Sequence, residues 1–180
     1  MLKVMTALAL IALPGVALAQ GSRPYAGMEQ RPVKALSRQQ VADLKAGRGM
    51  GLALPAELNG YPGPSHVLEH ADALGLSVEQ REKTKALFAA MKAEAIPVGE
   101  QLLAQETRLD QLFAERAITP DSLSAVTADI GATQARLRET HLKYHLAMTT
   151  VLGAAQIEKY RALRGYGSGA SRQQHPHRHD

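Results

Sequence analysis

The sequence predicts an all-α protein centred on a long antiparallel helical hairpin, and three observations predict it. Apolar residues recur at alternating steps of three and four along two long stretches, and each stretch opens on a strong capping signal. Aromatic residues make up only 4% of the chain and Trp is absent. A stacking platform for single-stranded nucleic acid therefore lacks material, and Ala and Leu must supply the core. The 21 basic residues are scattered among 17 acidic ones with no Lys/Arg run, so the net charge of +4 does not point to nucleic acid.

The chain divides into four parts. Residues 1–19 read as a secretory signal peptide: a positive start at Lys3, an apolar stretch from Val4 to Val16 broken by Pro14 and Gly15, and an A-x-A cleavage site at Ala17-Leu18-Ala19. Cleavage there starts a mature, periplasmic chain at Gln20, with no segment expected to insert in the membrane. Zero Cys excludes a disulfide framework and a thiolate metal site. Residues 20–64 read as an irregular lead-in with one short helix, capped by Ser37 and closed by Gly47. The Gly- and Pro-rich stretch 49–64 reads as a loop whose Leu52, Leu54, Leu58 and Tyr61 pack down on something.

Residues 65–166 read as the helical hairpin domain. A short helix spans Ser65 to Leu74 and stops at Gly75. Ser77 with Gln80 forms a capping box, where the hydroxyl takes the N3 amide and the glutamine reaches back to the cap amide. From there Thr84, Phe88, Met91, Ala95, Val98, Leu102, Gln105, Leu109 and Leu112 mark one seam, with Pro97 expected to kink it. Thr119 caps the second long helix and Pro120 occupies its first position; Leu123, Val126, Ile130, Thr133, Leu137, Thr140 and Tyr144 mark its seam, and the helix is expected to end near Leu152. A last helix from Gly153 turns Ile157, Tyr160 and Leu163 inward. Residues 167–180, with His175, His177 and His179, read as a disordered His-containing tail. A hairpin of two helices leaves a second apolar side on each, to be covered by the short helices or by a second copy, and the expected assembly is a homodimer.

Leu76-Ser77-Val78-Glu79-Gln80 and Leu152-Gly153-Ala154-Ala155-Gln156 open the first long helix and the final helix. With the signal peptide and the hairpin between them, they give the chain a likeness over roughly residues 65–166: it resembles the Spy/CpxP superfamily, named for two LTxxQ motifs, which includes the ZraP- and CnrX-like heavy-metal proteins. Ser77 stands in place of Thr in the first motif, and Gly153 in the second, where the capping side chain is lost. The resemblance implies a helical, dimeric envelope-stress protein that holds unfolded clients without ATP or reports metal to a membrane-bound regulator.

Four of the seven histidines form two H-x-x-x-H pairs, His66 with His70 and His141 with His145. On a helix this spacing puts both imidazoles of a pair on one face, where two nitrogens can reach one ion. A hairpin whose turn centres near Ile118 pairs residues whose numbers sum to about 235, which puts Glu94 opposite His141 and Met91 close to His145. Glu94, Glu69 and Glu82 are the candidate carboxylates; Met148 is a possible thioether. Such a donor set suits Zn, Ni, Co or Cu(II) better than Mg or Ca.

Catalysis is not expected. Phosphate cradles, nucleophile elbows and H-E-x-x-H are absent, and although His66, Glu69 and His70 fit the inverted pattern H-x-x-E-H, a downstream third ligand is not evident. Two functions remain open: binding of a divalent transition metal, in heavy-metal sensing or resistance, and ATP-independent holding of clients. The second would use Arg81, Lys83, Lys85, Lys92, Arg108, Arg136, Arg138 and Lys143 as a basic cradle.

Overall fold

The computed structural model describes residues 24–166, so the expected signal peptide at 1–19 and the His-containing tail at 167–180 lie outside the described residues. Within them the chain is all-helical: a 3-10 turn at Met28–Gln30, then α1 (Arg38–Lys45), α2 (Leu54–Glu57), α3 (Pro64–Glu69), α4 (Val78–Ala114), α5 (Pro120–Met148) and α6 (Ala154–Leu163). None of these helices is long and apolar enough to cross a membrane.

Local signals set the helix starts. The Ser37, Ser77 and Thr119 hydroxyls accept from the backbone N–H groups of Gln40, Gln80 and Ser122, and the side chains of those three residues accept in return from the cap amides. Each box satisfies two backbone donors that a bare helix end leaves open. Gly153 has no side chain to contribute, so α6 keeps the returning half alone, Gly153 N–H to Gln156 Oε1 at 3.0 Å. α4 ends where Arg116 turns left-handed at φ 54°.

α4 packs along α5 in a hairpin-like pair, and cross-helix contacts run in opposite order along the two. Gln101 meets Arg136, and Glu94 meets Lys143 and Tyr144. These pairs sit about two residues further along α5 than a turn centred on Ile118 predicts. α4 runs through Pro97 as one helix. One core cluster joins Leu44 of α1 to Ala95, Val98 and Leu102 of α4 and to Ile130 and Leu137 of α5. A second joins Val67 and Leu74 to Met148, Leu152 and Tyr160.

The short helices cover the second side of the pair. α1 and α3 pack on α4, while α2 and α3 pack on α5. Around the α4–α5 turn Phe113 and Leu123 remain exposed. The two LxxxQ motifs, 76 residues apart in sequence, meet here in space: Gln80 Nε2 donates to Gln156 Oε1 at 2.9 Å and Gln156 Nε2 returns to Gln80 Oε1 at 3.0 Å. Gln80 Nε2 also reaches the Val151 carbonyl at 2.9 Å, so one amide pair locks the start of α4 to the start of α6.

Several elements depart from expectation. The 49–64 stretch contains a helical turn, α2, because Pro55 fits an early helical position where no N–H is needed. α3 stops at Glu69 rather than Leu74, and Ala71 and Leu74 reach the core from a series of turns instead. α5 stops at Met148 rather than near Leu152; the Thr149 and Thr150 hydroxyls bond back to the Leu146 and Ala147 carbonyls just beyond it. Leu163 points outward, 41% exposed, while Tyr160 and Ile157 fill the space under α6.

Two glycines of the long helices carry opposite predictions. A Cβ at Gly99 would stand 2.7 Å from the Leu44 carbonyl oxygen, so α1 sits against α4 only where a side chain is missing. A Cβ at Gly131 would meet nothing within 4 Å. Gly99→Ala should lower stability by about 1–3 kcal/mol through forced separation of the two backbones. Gly131→Ala should raise it by about 0.5–1 kcal/mol, since alanine loses less freedom in a helix. Urea denaturation of both variants checks the two signs.

Candidate metal-binding cavity

The C-terminal half of α5 is buried on two sides. Thr140 and Tyr144 lie on the side of α4, where the Tyr144 hydroxyl donates to Glu94 Oε1 at 2.6 Å. His141 and His145, one helical turn apart, lie on the other side beneath the 47–64 segment, which comes closest at Gly63, where a side chain would not fit. A Cβ at Gly49 would stand 3.4 Å from His141 Nδ1, and one at Gly63 would stand 2.9 Å from the His145 ring. Gly63 has an ordinary φ of −84°, so its requirement is for space and not for backbone freedom.

Beside this contact lies a cavity of about 530 Å³. His66, His141 and His145 all line it, together with Glu57, Glu69 and Met91. His145 is 8% exposed, and its Nδ1 stands 2.7 Å from the Tyr61 carbonyl, which can only accept. A proton on Nδ1 is therefore donated to that carbonyl, and Nε2 is the ring nitrogen left for another partner. His66 makes the equivalent contact with a carboxylate, Nδ1 to Glu69 Oε2 at 3.0 Å, which also holds the Glu69 carboxyl below the usual range. His141 is 3% exposed, and its Nε2 is buried without a partner. Burial first, and the neighbouring His145 second, push its pKa down, so the neutral form is favoured.

Glu57 is the third buried polar group of the cavity, after His141 and His145, and the least expected, at 5% exposure. Its Oε1 accepts from the Tyr160 hydroxyl at 2.5 Å and from Arg164 Nε at 3.2 Å. Its Oε2 has no partner and lies 3.8 Å from His145 Nδ1. Sequence reasoning missed Glu57 because it sits in a Gly/Pro-rich stretch with no periodicity. The available signal was Leu54-Pro55-Ala56-Glu57 as a possible first helical turn.

Of the residues singled out from sequence, the structure brings His66, His141 and His145, with Glu69 and Met91, to one cavity and leaves His70, Glu94, Glu82 and Met148 elsewhere. His70 caps the end of α3 and stands edge-on to the Tyr160 ring, centroids 6.4 Å apart. His70 N–H still bonds to the His66 carbonyl at 3.1 Å, but of the two rings only His66 lines the cavity. Glu94 lines a different hollow beside Lys143, and the Lys143 ammonium, then the Tyr144 hydroxyl, hold its carboxyl below the usual range. The observed register carries Glu94 past His141. Glu82 is exposed and pairs with Lys85 at 2.8 Å. Met148 belongs to the core under α6.

As the side chains lie, no three His, Asp or Glu groups among the described residues stand close enough to hold one ion. The chemistry of the donors nonetheless fits a soft or borderline divalent cation. Two imidazoles have Nδ1 engaged by an acceptor, the second-sphere arrangement that fixes a ligating tautomer, and the third is neutral with an unpaired nitrogen. Comparison with protein-family models, with curated proteins and with solved structures finds no match.

The depressed pKa of His141 makes stability depend on pH. Folded, the ring stays neutral to lower pH than the unfolded ring, which protonates near 6.5, so below that value the unfolded state binds the extra proton. This contribution is fully present above about pH 6.5 and is lost as pH falls toward the folded value. In chelator-containing buffer, the melting temperature of wild type should fall between pH 7.5 and pH 5, and His141→Gln should show a shallower fall. Thermal denaturation across that range checks the sign; equal slopes would contradict it.

Proposed function

We propose that this chain is a periplasmic, signal-peptide-exported protein of the Spy/CpxP type that binds a divalent transition metal, in heavy-metal sensing or resistance. The observation that carries the reading is the convergence on one cavity of His66, His141 and His145, with Nδ1 occupied on two rings and Nε2 unpaired on the third. His141 and His145 would hold the ion from α5, with His66 across the cavity. The ion would supply the positive charge that the unpaired imidazole nitrogen and the free Glu57 oxygen lack. Zn, Ni, Co and Cu(II) all suit nitrogen and carboxylate donors.

The meeting of Gln80 and Gln156 supports the family reading, since it gives the paired motifs a shared physical role, in which each glutamine closes its own cap and bonds to the other. Assembly as a homodimer is part of the same proposal. With α1–α3 covering the side of the pair remote from the turn, the surface left for a second copy centres on Phe113 and Leu123.

Client holding is the second reading. Exposed Met50, Leu54, Leu58 and Tyr61, close together in sequence beside the cavity, favour it as an apolar landing surface. The basic cradle gives it less support. Arg81 pairs with Asp72, Lys83 with Glu79, Lys85 with Glu82 and Lys143 with Glu94, which leaves a smaller uncompensated field for steering.

Titration calorimetry of zinc into the mature chain tests the metal reading. His141→Ala and His145→Ala should each weaken binding by at least about tenfold, whereas His177→Ala and Glu94→Gln should change it less than about twofold. Binding that survives loss of both α5 histidines and disappears with the tail histidines would overturn it. Suppression of aggregation of an unfolded client by the metal-free chain would favour the second reading.

A further inference from the structure

Glu57 faces two ways. Its Oε1 takes the hydroxyl of Tyr160 and the guanidinium of Arg164, and these two residues are the inward anchor of α6 and its C-cap. Its Oε2 is free, buried and beside His145 in the histidine-lined cavity. A buried carboxylate with one oxygen unpaired is costly unless something uses it. Tyr160 is wholly buried in the core cluster with Val67 and Met148, and Ile157 packs against that cluster one turn earlier, so the last turn of α6 docks through Tyr160 and the charge pair behind it.

We infer that Glu57 is the carboxylate ligand of the metal bound at His141 and His145, and that through it metal occupancy weakens the docking of α6. This rests on the metal reading above. The chemistry is a competition for one anion. A divalent cation on Oε2 draws charge away from Oε1, weakens the two charge-assisted hydrogen bonds there, and adds positive charge beside the Arg164 guanidinium. Arg164 then loses part of its counter-ion. α6 is ten residues long, and Leu163 lies on its outer side, so the helix has little else to hold its last turn. The far end stays fixed by the Gln80–Gln156 pair, so release begins at Arg164 and runs back toward Tyr160. The cavity thereby has an output: the last turn of α6.

Two measurements on the full mature chain, with Zn²⁺ as the probe, separate the outcomes. Calorimetry gives binding, and hydrogen exchange with mass spectrometry gives the protection of residues 156–166. At saturating zinc, exchange in wild-type 156–166 should quicken by at least about fivefold while α5 becomes better protected. Glu57→Gln keeps the shape and one acceptor oxygen but loses the charge; it should bind zinc about tenfold more weakly and, when saturated, show no quickening. Tyr160→Phe leaves Glu57 in place and removes one of the two anchors. Its α6 should exchange faster before zinc is added, and zinc should add less to that rate.

Zinc binding that depends on His141 and His145 but is as tight in Glu57→Gln, or that leaves exchange in 156–166 unchanged in wild type, overturns this inference and leaves the metal reading standing. Zinc binding indifferent to His141 and His145 removes both. Should Glu57→Gln fail to fold by circular dichroism, the wild-type and Tyr160→Phe exchange data still decide the coupling.

Discussion

A carboxylate almost without access to water has to be held by the protein around it, and the arrangement of the α5 side of this molecule follows from how Glu57 is held. Removing a carboxylate from water costs several kcal/mol, which hydrogen bonds and a counter-ion must offset. Tyr160 and Arg164 supply them from α6, at 2.5 and 3.2 Å. Glu57 reaches them because α2 and the following turn lie flat on α5, an approach helped by Gly63, where a Cβ would stand 2.9 Å from the His145 ring. The Tyr61 carbonyl, brought down by the same turn, fixes the proton of His145. One constraint therefore joins the N-terminal segment, α5 and α6, and it creates the cavity as a consequence.

The rest of the molecule gives this arrangement a rigid base. α4 and α5 share a core of Ala95, Val98, Leu102, Ile130 and Leu137, and α1 reaches it through Leu44 at the gap left by Gly99. The Lys34–Asp110 ion pair, at 2.9 Å, ties the lead-in to the far part of α4, though an exposed pair of this kind contributes little alone. On this base the Gln80–Gln156 amide pair fixes where α6 starts. The two ends of α6 are thus held by unlike means: a neutral amide pair at the start and a charged network at the finish. Only the second responds to added charge.

Much of the fold was legible because it is written locally. Capping boxes at Ser37, Ser77 and Thr119 act within three residues, so the spacing of Ser or Thr and Gln or Ser reveals them directly. The buried seam of Met91, Ala95, Val98 and Leu102 follows from helical periodicity. What the sequence concealed depends on long-range contact. A register offset of about two residues turns Glu94 from His141 toward Lys143 and Tyr144, because each residue rotates a helical side chain by about 100°. His70, at the end of α3, stands against the Tyr160 ring, while His66 lines the cavity. Of the candidate site, three histidines were legible as types at a spacing, while Glu57 was hidden because burial of a charge is a property of its neighbours and those neighbours lie more than 100 residues away.

Whether the α5 histidines and the buried carboxylate form one cation site is measured most directly by an anomalous-scattering difference map, collected above and below the zinc absorption edge from crystals of the zinc-loaded mature protein. The expected result is a single strong peak enclosed by the His141, His145 and Glu57 side chains, with the Glu57 carboxylate turned so that Oε2 meets it. A peak at Glu94 and Lys143, or on the tail histidines alone with Glu57 still closed on Tyr160 and Arg164, would contradict it.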